Sequence, residues 1–493
     1  MTLTDLLAGL NHDVLRGAVA GVEVSGLAFD SRRVQPGFVF VAVPGTRVDG
    51  HDYISVAGAA GAGVIVGLSD RLPGDLPAET VYIAVDNPAE ALAELAANWY
   101  GHPSREMQLI GVTGTNGKTT VTTLLHDLFT RLGYRAGLLS TVEVRIGTDV
   151  QPATHTTPDA PAVQARLADM RDAGCDYVFM EVSSHAVDQR RTHGLDFNGG
   201  VFTNLSRDHL DYHPTFADYL AAKKRFFDEL PAHAFALTNL DDKRGAVMLQ
   251  NTPARRLTYS LRRMADYRAR LLTDSAEGLQ LAIEGTEVFT QMIGRYNGYN
   301  LLAAYAVARQ LGQEKDEVLI ELSRLRGAAG RLEPVATPDG RLTALVDYAH
   351  TPDALDNVLT TLRASLREGQ RLLCVVGAGG DRDRGKRPQM AATAARLADQ
   401  VILTSDNPRS EDPETILDDM EAGLTEAAAR ARTLRITDRR NAIKTAVRLA
   451  GPTDVLLVAG KGHETYQEIN GQRLPFDDRV ELARALNDRQ HVS

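Results

Sequence analysis

The sequence has few cysteines, no excess of positive charge and no long apolar run, and each shortage excludes a class of protein. It contains only two cysteines in 493 residues, Cys175 and Cys374. Two such distant cysteines exclude a disulfide framework and paired zinc ligands, and they are typical of a reducing compartment. No stretch of about 18 apolar residues occurs, which excludes a membrane-spanning helix. The first residues contain no basic stretch leading into an apolar run, so we expect no signal peptide.

The charge balance is acidic. Lys and Arg number 54 against 64 Asp and Glu, which gives a formal net charge of −10. This balance argues against a protein that coats nucleic acid or an acidic membrane, because both require a basic surface. An anionic small-molecule substrate remains compatible with it, since a local basic pocket can lie in an acidic protein. We therefore expect a cytoplasmic protein that binds neither nucleic acid nor membrane.

Short runs rich in Val, Ile and Leu alternate with helical patterns along the chain. This alternation, together with 42 glycines, favours an α/β enzyme with parallel strands buried on both faces. The predicted strands are 109–112, 177–182, 200–203, 234–237, 345–346, 372–376, 401–403 and 455–458. The predicted helices are 88–100, 119–132, 160–173 and 299–311. The length predicts about three domains at roughly 150 residues each, which we place at 1–103, 104–330 and 331–493.

A glycine-rich turn joins the strand at 109–112 to the helix at 119–132. Such a turn directs backbone N–H groups at phosphate oxygens, and the helix N-terminus favours negative charge. Lys118 would reach the β- and γ-phosphates, and the Thr119 hydroxyl would bind magnesium. The strict phosphate-loop pattern places glycine at position 112, where this chain has valine, so only a shorter core from Gly114 to Thr119 is present. The alternative is a turn that merely connects two elements.

Further polar residues follow the next predicted strands. Glu181 lies at the end of 177–182, where a carboxylate near a phosphate loop commonly anchors magnesium. Lys223 taken alone would be a solvated helix lysine. The run after 200–203 could supply metal ligands, bases or ordinary turn residues, namely Asp208, His209, Asp211 and His213.

The last third of the chain has four strand ends that each lead into a charged, Gly-rich or Pro-containing loop. The loops are 347–353, 376–388, 404–409 and 458–464. Four such loops on one sheet edge predict a crevice that binds a charged small molecule. The expected carboxylate- and phosphate-binding groups of this crevice are Arg382, Lys386, Arg387 and Arg409.

Taken together, these segments resemble the Mur ligases, in order and over nearly the whole chain. The segments are GTNGKTT at 114–120, EVSSH at 181–185, TNLSRDHLD at 203–211, GRLE at 330–333, DYAHTP at 347–352, DRD at 381–383 and GKGHE at 460–464. The resemblance implies a small N-terminal α/β domain for the UDP end of the substrate, a central P-loop-type domain with a mostly parallel sheet for ATP, and a Rossmann-like C-terminal domain for the incoming amino acid.

The resemblance also implies site residues for the two larger substrates. The ATP-binding residues would be Gly114, Thr115, Asn116, Gly117, Lys118, Thr119 and Thr120. The residues that contact the UDP-linked dipeptide would be Phe29, Ser31, Thr46, Arg47, Val48, His155, Thr156, Thr157, Ser183, Gln189 and Arg191. A relative often has asparagine at the position of His155.

Three further expectations follow from the resemblance. The catalytic residues would be Lys118, His209 and Lys223. Magnesium would be held by Thr119, Glu181, His209 and Lys223, the last as a carbamate made with CO2, which reverses the interpretation of Lys223 as a solvated lysine. The amino-acid-binding residues would be Arg382, Asp406, Asn407, Pro408, Arg409, Gly460 and Glu464.

The implied activity is an ATP-dependent amide ligation. The enzyme would add meso-diaminopimelate to the D-glutamate of UDP-N-acetylmuramoyl-L-alanyl-D-glutamate through an acyl phosphate, as a monomer, in peptidoglycan precursor synthesis. Arg409 favours diaminopimelate, because a guanidinium can bind its second carboxylate with two hydrogen bonds. The alternatives are the same ligation with L-lysine or L-ornithine, another ligase of the superfamily such as a different Mur ligase or a folylpolyglutamate synthetase-like enzyme, and a nucleotide-binding regulator without ligase activity.

Overall fold

The computed structural model describes residues 1–45, 48–147, 149–153, 156–208, 212–275, 278–337 and 341–490, and these form three large sheets and a separate two-stranded hairpin. The first sheet lies near the N-terminus. Within that described part, five strands pair in the order β1-β5-β4-β3-β2, with β1 antiparallel and the others parallel. Its elements are β1 (Asp13–Arg16), β2 (Gly26–Ala28), β3 (Phe38–Val41), β4 (Val64–Gly67), β5 (Val81–Ala84), α1 (Leu3–Leu6), α2 (Ile54–Ala59) and α3 (Pro88–Tyr100).

Helix α3 ends this first segment and has clear sequence signals at both ends. The Asn87 side chain accepts hydrogen bonds from the backbone N–H groups of Ala89 and Glu90, and Pro88 occupies the first turn. Gly101 follows the helix with a φ of +73°, the left-handed conformation in which helices commonly end. These caps explain why the helix has the bounds predicted from the sequence.

The second sheet contains the phosphate loop. Counted over the described residues, it has eleven strands in the order β16-β15-β14-β13-β12-β11-β6-β10-β7-β8-β9. The neighbouring strands β14, β13, β12, β11, β6, β10 and β7 are parallel to one another, and antiparallel strands flank them at both edges of the sheet. The strands are β6 (Gln108–Thr113), β7 (Ala136–Leu139), β8 (Glu143–Ile146), β9 (Asp149–Pro152), β10 (Tyr177–Glu181), β11 (Gly199–Phe202), β12 (Phe235–Asn239), β13 (Arg255–Ser260), β14 (Tyr267–Ser275), β15 (Gly278–Ile283) and β16 (Thr286–Thr290).

Helices cover both faces of this sheet, which is why its central strands are almost continuously apolar. One face packs residues of α4 and α9 against the strands, and the other packs residues of α5 and α7. The helices are α4 (Lys118–Arg131), α5 (Ala160–Asp172), α6 (Ser184–Asp188), α7 (Phe216–Asp228), α8 (Gly245–Met248), α9 (Arg295–Gln310) and α10 (Lys315–Arg324).

The third sheet has its own two-sided core. In the described ranges it pairs six strands in the order β17-β18-β22-β19-β20-β21, of which only β17 is antiparallel, and a separate hairpin joins β23 to β24. The strands are β17 (Glu333–Val335), β18 (Thr343–Asp347), β19 (Leu372–Val376), β20 (Gln400–Leu403), β21 (Thr433–Arg435), β22 (Val455–Ala459), β23 (Tyr466–Ile469) and β24 (Gln472–Pro475). The helices are α11 (Pro352–Ala364), α12 (Lys386–Leu397), α13 (Pro413–Glu421), α14 (Ala427–Ala431), α15 (Arg439–Leu449) and α16 (Asp478–Gln490).

The fold class predicted from the sequence is confirmed. Strands β18, β22, β19 and β20 are adjacent and parallel, so the four loops predicted to share a sheet edge do so. The helix predicted at 299–311 begins earlier, at Arg295, because Gly294 with a φ of +93° precedes it. The domain divisions at 103 and 330 stay predictions. No helix in the described part of the chain is long and apolar enough to span a bilayer.

Candidate active site

The phosphate loop is braced by the residues that follow the neighbouring strand β11. The backbone N–H of Thr115 donates to the Asn204 carbonyl at 2.8 Å, and the N–H of Asn116 donates to Asn204 Oδ1 at 3.0 Å. Thr203 Oγ1 in turn donates to the Asn116 carbonyl at 2.6 Å. These bonds hold the loop open at the end of β6 and leave the first turn of α4 free to receive an anion.

Glycine is required at both ends of this loop. A Cβ atom at Gly114, whose φ is +149°, would lie 1.9 Å from Thr203 Oγ1 and 3.0 Å from the Asn204 carbonyl oxygen. At Gly117, whose φ is +89°, a Cβ atom would lie 2.7 Å from Asn300 Oδ1. The close packing against the loop explains the two glycines of the shorter phosphate-loop core.

Two lysines place their amines beside the same carbonyl oxygen of this loop. Lys118 Nζ donates to the carbonyls of Gly114 and Thr115, each at 2.9 Å. Lys223 Nζ, from α7, also donates to the Gly114 carbonyl at 2.9 Å and is almost wholly buried, at 1% exposure. Burial, reinforced by the charge of Lys118, holds the pKa of Lys223 well below its usual value. Lys223 is therefore not a solvated helix lysine.

Glu181 is a buried carboxylate at the end of β10, next to β6. Its Oε1 accepts from the Thr141 N–H at 2.7 Å, and its Oε2 accepts from the Thr141 hydroxyl at 3.0 Å. Its backbone carbonyl accepts from Thr157 Oγ1 at 2.8 Å. The carboxylate is thus oriented by hydrogen bonds while each oxygen keeps a lone pair, and hard oxygen donors of this kind suit Mg2+.

The residues predicted to contact the dipeptide form one hydrogen-bonded network. Arg191 Nη1 donates to the Thr157 carbonyl at 2.6 Å, and its Nη2 donates to Gln189 Oε1 at 2.6 Å. Gln189 Nε2 donates to the Tyr212 hydroxyl at 3.1 Å. Ser183 caps α6, and its backbone N–H donates to Thr157 Oγ1 at 3.2 Å. These hydrogen bonds fix the position of the Arg191 guanidinium.

A cavity of about 820 Å³ joins this network to the N-terminal segment, and we call it the nucleotide cavity. Phe29, Ser31 and Val48 line it from one side, and Gln189 and Arg191 line it from the other. The structure therefore brings together two groups of residues that are about 140 or more positions apart in sequence, as an extended ligand that crosses the two segments would require.

The candidate amino-acid loops pack around a buried lysine. Lys461 Nζ donates to Asn407 Oδ1 at 3.0 Å and to Glu464 Oε2 at 2.8 Å, and its side chain is 0% exposed. Asn407 Nδ2 donates to the same Glu464 oxygen at 2.7 Å. A Cβ atom at Gly460, whose φ is +121°, would lie 2.5 Å from Asp406 Oδ2, so this position needs glycine.

The surroundings of this cluster shift the pKa values of its two carboxyl groups in opposite directions. Burial raises the pKa of Glu464, as does the charge of Asp406, while Lys461 opposes the rise. Burial also disfavours ionisation of Asp406, but the charges of Lys461 and Arg439 outweigh it and lower the pKa of that carboxyl. One carboxylate is therefore firmly ionised, and the ionisation of the other depends on its neighbours.

A buried ion pair lies beneath these loops. Arg439 and Asp478 are each 0% exposed, with Nη2 to Oδ2 at 2.7 Å. The Arg439 guanidinium also donates to the carbonyls of Ser405 at 3.3 Å and Ala459 at 2.9 Å. One side chain thereby links the ends of β20 and β22, from which both loops leave.

The β23–β24 hairpin lies against Arg409. The Arg409 N–H donates to the Glu468 carbonyl at 3.0 Å, and its φ is +53°. Its Nη1 donates to the Gly380 carbonyl at 2.8 Å, which orients the guanidinium beside the exposed Arg382. Pro408 is buried in the same loop. The two arginines therefore lie at one side of the crevice, as predicted.

A second cavity, of about 710 Å³, brings the separate groups together, and we call it the central cavity. Residues of the phosphate loop, the dipeptide network and the amino-acid loops all contribute to its wall. Its predicted members are Thr115, Asn116, Gly117, Lys118, Thr119, Thr156, Thr157, Glu181, Ser183, Arg191, Lys223, Arg382, Arg409 and Glu464. Arg191 lines both this cavity and the nucleotide cavity.

The structure adds residues to which the sequence alone assigned no role. Arg331 lines the central cavity, with Nη2 3.4 Å from Thr119 Oγ1 and its guanidinium 4.7 Å from the centre of the Tyr348 ring. It also lines an adjoining cavity of about 330 Å³, whose wall includes Asn300 and Thr120. The position of Arg331 within the GRLE segment was the available signal, but its spacing indicates no chemistry.

One prediction made from the sequence is wrong. Arg387 does not line the crevice: it is wholly buried, and its guanidinium is paired with Glu411 at 2.7 Å and Asp419 at 2.8 Å. It is instead an anchor of the loop that carries Arg382. The predicted residues Thr46, Arg47, His155 and His209 lie outside the described residues, as does Asp211. Over the described ranges, no group of three or more His, Cys, Asp or Glu side chains forms a metal site.

Models of one protein family match the chain in three successive segments. The Mur ligase family catalytic domain matches residues 23–100, the Mur ligase middle domain matches 112–308, and the Mur ligase glutamate ligase domain matches 330–462. With the relatives below, these matches place the chain in the Mur ligase family. The family resemblance found in the sequence is confirmed.

The relatives match the chain over almost its whole length. It is 54% identical over 490 residues to the UDP-N-acetylmuramoyl-L-alanyl-D-glutamate–2,6-diaminopimelate ligase of Parabacteroides distasonis, covering 99% of this chain and 100% of that one. It is 41% identical to the ligase of the same name from Bacillus velezensis, covering 99% of both. A solved structure of a ligase of that name superposes with a TM-score of 0.69 and 34% identity, covering 100% of this chain and 99% of the other.

The rival family shares the fold over a smaller part of the chain. The folylpolyglutamate synthase of Mycobacterium tuberculosis, complexed with ADP and AMPPCP, superposes with a TM-score of 0.61 at 19% identity and covers 75% of this chain. This likeness shows the fold alone.

Proposed function

We propose that the chain adds meso-diaminopimelate to the D-glutamate of UDP-N-acetylmuramoyl-L-alanyl-D-glutamate, forming ADP and phosphate, in peptidoglycan precursor synthesis. As a Mur ligase, the chain is an ATP-dependent amide ligase. The close relatives that cover the whole chain carry the name of this reaction. The observation that carries the proposal is the central cavity, whose wall contains the phosphate loop, the dipeptide network and the amino-acid loops.

In the first step, a carboxylate oxygen of D-glutamate would attack the γ-phosphorus of ATP. The bond from that phosphorus to the ADP oxygen breaks, and an acyl phosphate and ADP form. The phosphate-loop N–H groups and Lys118 would hold the phosphates, and Arg331 would stabilise the charge that develops on them. Lys118 Nζ is well placed for this role, because it already lies over the loop carbonyls.

The carboxylate that attacks must be held beside the phosphate. Arg191 would orient the dipeptide through its guanidinium, which Gln189 and Thr157 fix in position. Since Arg191 lines both cavities, it lies where the dipeptide would pass from the nucleotide cavity to the central cavity. Holding the two reactants in this geometry lowers the entropic cost of the reaction.

The residues present fit a magnesium ion. Thr119 and Glu181 offer oxygen donors near Lys118, and we propose His209 and a carbamate on Lys223 as the other ligands. When bound, the ion would neutralise phosphate charge. Lys223 suits carbamate formation because the neutral amine reacts with CO2, and burial holds its pKa well below the usual value. A carbamate would also place a negative charge beside the Lys118 ammonium, where the two amines share the Gly114 carbonyl.

In the second step, the amino nitrogen of diaminopimelate would attack the acyl carbon after losing a proton to water, and it would lose a second proton to water as the amide forms. A C–N bond forms, and the C–O bond to phosphate breaks from a tetrahedral intermediate. The acyl phosphate hydrolyses readily, so water must be excluded while it exists. The walls of the central cavity come from two segments of the chain, and closure of these segments around the substrates would exclude water.

The amino-acid loops favour diaminopimelate over L-lysine and L-ornithine. Diaminopimelate carries a second carboxylate and ammonium at its far end. Arg409 would bind this carboxylate with two hydrogen bonds, with Arg382 beside it. Glu464 and Asp406 would bind the ammonium. We also propose that the enzyme is a cytoplasmic monomer; both of its cysteines are free, as is usual in a reducing compartment.

Phosphate release from ATP tests this proposal. The purified chain is given ATP, magnesium and the UDP-linked dipeptide, with diaminopimelate, L-lysine or L-ornithine added in turn. We expect release that depends on diaminopimelate and produces the UDP-linked tripeptide. Release without any amino-acid dependence would instead indicate a nucleotide-binding regulator, and equal use of all three amino acids would contradict the role of Arg409.

A further inference from the structure

Arg190 occupies a backbone position that favours glycine. It follows Gln189, the C-cap of α6, and has a φ of +56°. Helices commonly place glycine at this position, because the left-handed conformation is strained for a residue that has a side chain. An arginine here needs an interaction of its side chain to compensate for that strain.

The Arg190 side chain supplies such an interaction across two segments of the chain. Its Nε lies 3.0 Å from an oxygen of Glu90, on α3 of the N-terminal segment, and its Nη1 is paired with Glu229, the C-cap of α7. The arginine side chain is 22% exposed. A planar guanidinium can bind two carboxylates at once, which a lysine ammonium on a flexible stem does less well.

These pairs lie directly behind the nucleotide cavity. Gln189 and Arg191, on either side of Arg190, line one wall of that cavity. Ala89 and Leu92 line another wall, and they flank Glu90 on α3. A movement of Arg190 relative to Glu90 would therefore change the distance between the two walls.

The junction between the turn after α6 and α3 is closely packed at Gly194, where an added Cβ atom would lie 3.3 Å from the Ala93 carbonyl oxygen, but it is open beside Arg190. A cavity of about 500 Å³ lies there, bounded by Arg190, Glu90 and Glu229 together with His193. A second polar link, from His193 Nε2 to Glu94 at 3.2 Å, crosses from the same turn to α3. Two polar links, from Arg190 to Glu90 and from His193 to Glu94, therefore connect the turn to α3 beside this cavity.

We propose that Arg190 is a positioning residue for the UDP-linked dipeptide: it ties α3 to the turn 189–191 and so sets the width of the nucleotide cavity. The inference rests on the proposed function, which makes that cavity the substrate site. Arg190 itself lies behind the wall and acts through its neighbours Gln189 and Arg191.

Three variants test this role by steady-state kinetics with each substrate varied in turn. Arg190→Gly removes the pairs and relieves the strain, and Glu90→Gln removes one pair from the other side. Arg190→Lys keeps the charge. Because part-exposed ion pairs are individually weak, we expect KM for the UDP-linked dipeptide to rise about three- to tenfold in Arg190→Gly. We expect a smaller rise in Arg190→Lys, with KM for ATP and kcat near wild type.

The double variant and a control separate positioning from stability. In the double variant, Arg190→Gly with Glu90→Gln, the rise in KM for the UDP-linked dipeptide should be smaller than the product of the rises in the two single variants, because both changes remove the same ion pair. Arg166→Ala, which removes an exposed pair with Asp169 on α5, should change no KM value. Hydrogen exchange should quicken in the turn 189–191 of Arg190→Gly.

The failure of this inference is distinguishable from failure of the proposed function. If the wild-type chain ligates but Arg190→Gly keeps the wild-type KM for the dipeptide, the positioning role is wrong, whatever happens to its melting temperature. A uniform rise in KM for all three substrates would also overturn it. If the wild-type chain does not use the UDP-linked dipeptide at all, the proposed function fails, and the role of Arg190 fails with it.

Discussion

Replacement of Lys461 by methionine should change the pH dependence of amino-acid use. Methionine has a similar length and no charge, so Lys461→Met removes the ammonium that holds Asn407 and Glu464 and leaves a side chain of comparable volume. Burial and Asp406 already raise the pKa of Glu464, and Lys461 opposes them. Without the ammonium, the pKa of this carboxyl should rise further.

The sign of the effect follows from the charge that the substrate needs. The ionised form of Glu464 would bind the substrate ammonium, so a higher pKa leaves less of the binding form at neutral pH. Each pKa unit corresponds to about 1.4 kcal/mol, and removing one partner of a buried ion pair costs about 3–5 kcal/mol. We expect kcat/KM for diaminopimelate to fall about 10- to 100-fold at neutral pH and to recover partly as the pH rises toward about 9.

The assay is the pH profile of kcat/KM with diaminopimelate as the varied substrate. In Lys461→Met the acidic limb of this profile should shift to higher pH by at least about one pH unit, while KM for ATP stays near wild type. Lys444→Met on α15 provides a control lysine that is outside the site. A profile that keeps its wild-type shape and is lowered equally at every pH would show that Lys461 stabilises the loops without controlling the charge of Glu464.

Other substitutions test the remaining parts of the site. Lys118→Ala should abolish ATP turnover and ligation but leave binding of the UDP-linked dipeptide largely intact in a calorimetric titration; retained turnover would refute the phosphate-loop assignment. Gly114→Ala should also lose ATP turnover, at least about 100-fold, since its Cβ atom would lie 1.9 Å from Thr203 Oγ1; wild-type kinetics would contradict that geometry. Arg409→Ala should raise KM for diaminopimelate at least tenfold with little change in KM for ATP, and equal effects on both would remove the basis for the amino-acid assignment.

The sequence predicted the strands and the loops that follow them because the signals are local. The phosphate loop and the four loops of the C-terminal sheet follow short apolar runs, and in parallel sheets such loops share an edge. The residues that these loops present to the cavity, such as Lys118 and Arg409, could therefore be named before the structure was seen.

Burial and pairing between distant residues could not be predicted in this way. Taken from the sequence alone, Lys223 would be a solvated helix lysine and Arg387 a binding group of the loop 376–388, yet both are buried: one at the phosphate loop and the other paired with Glu411. Arg439 and Lys461 organise the amino-acid loops through contacts with Ser405 and Asn407, which lie 34 and 54 positions away in sequence. Only the packing of the sheets brings these partners together.

Phosphate release with the UDP-linked dipeptide and each of three amino acids tests the central claim most directly. The account predicts release that requires the dipeptide, is much faster with meso-diaminopimelate than with L-lysine or L-ornithine, and is accompanied by formation of the UDP-linked tripeptide. Release that ignores the dipeptide, or a clear preference for L-lysine, would contradict the account.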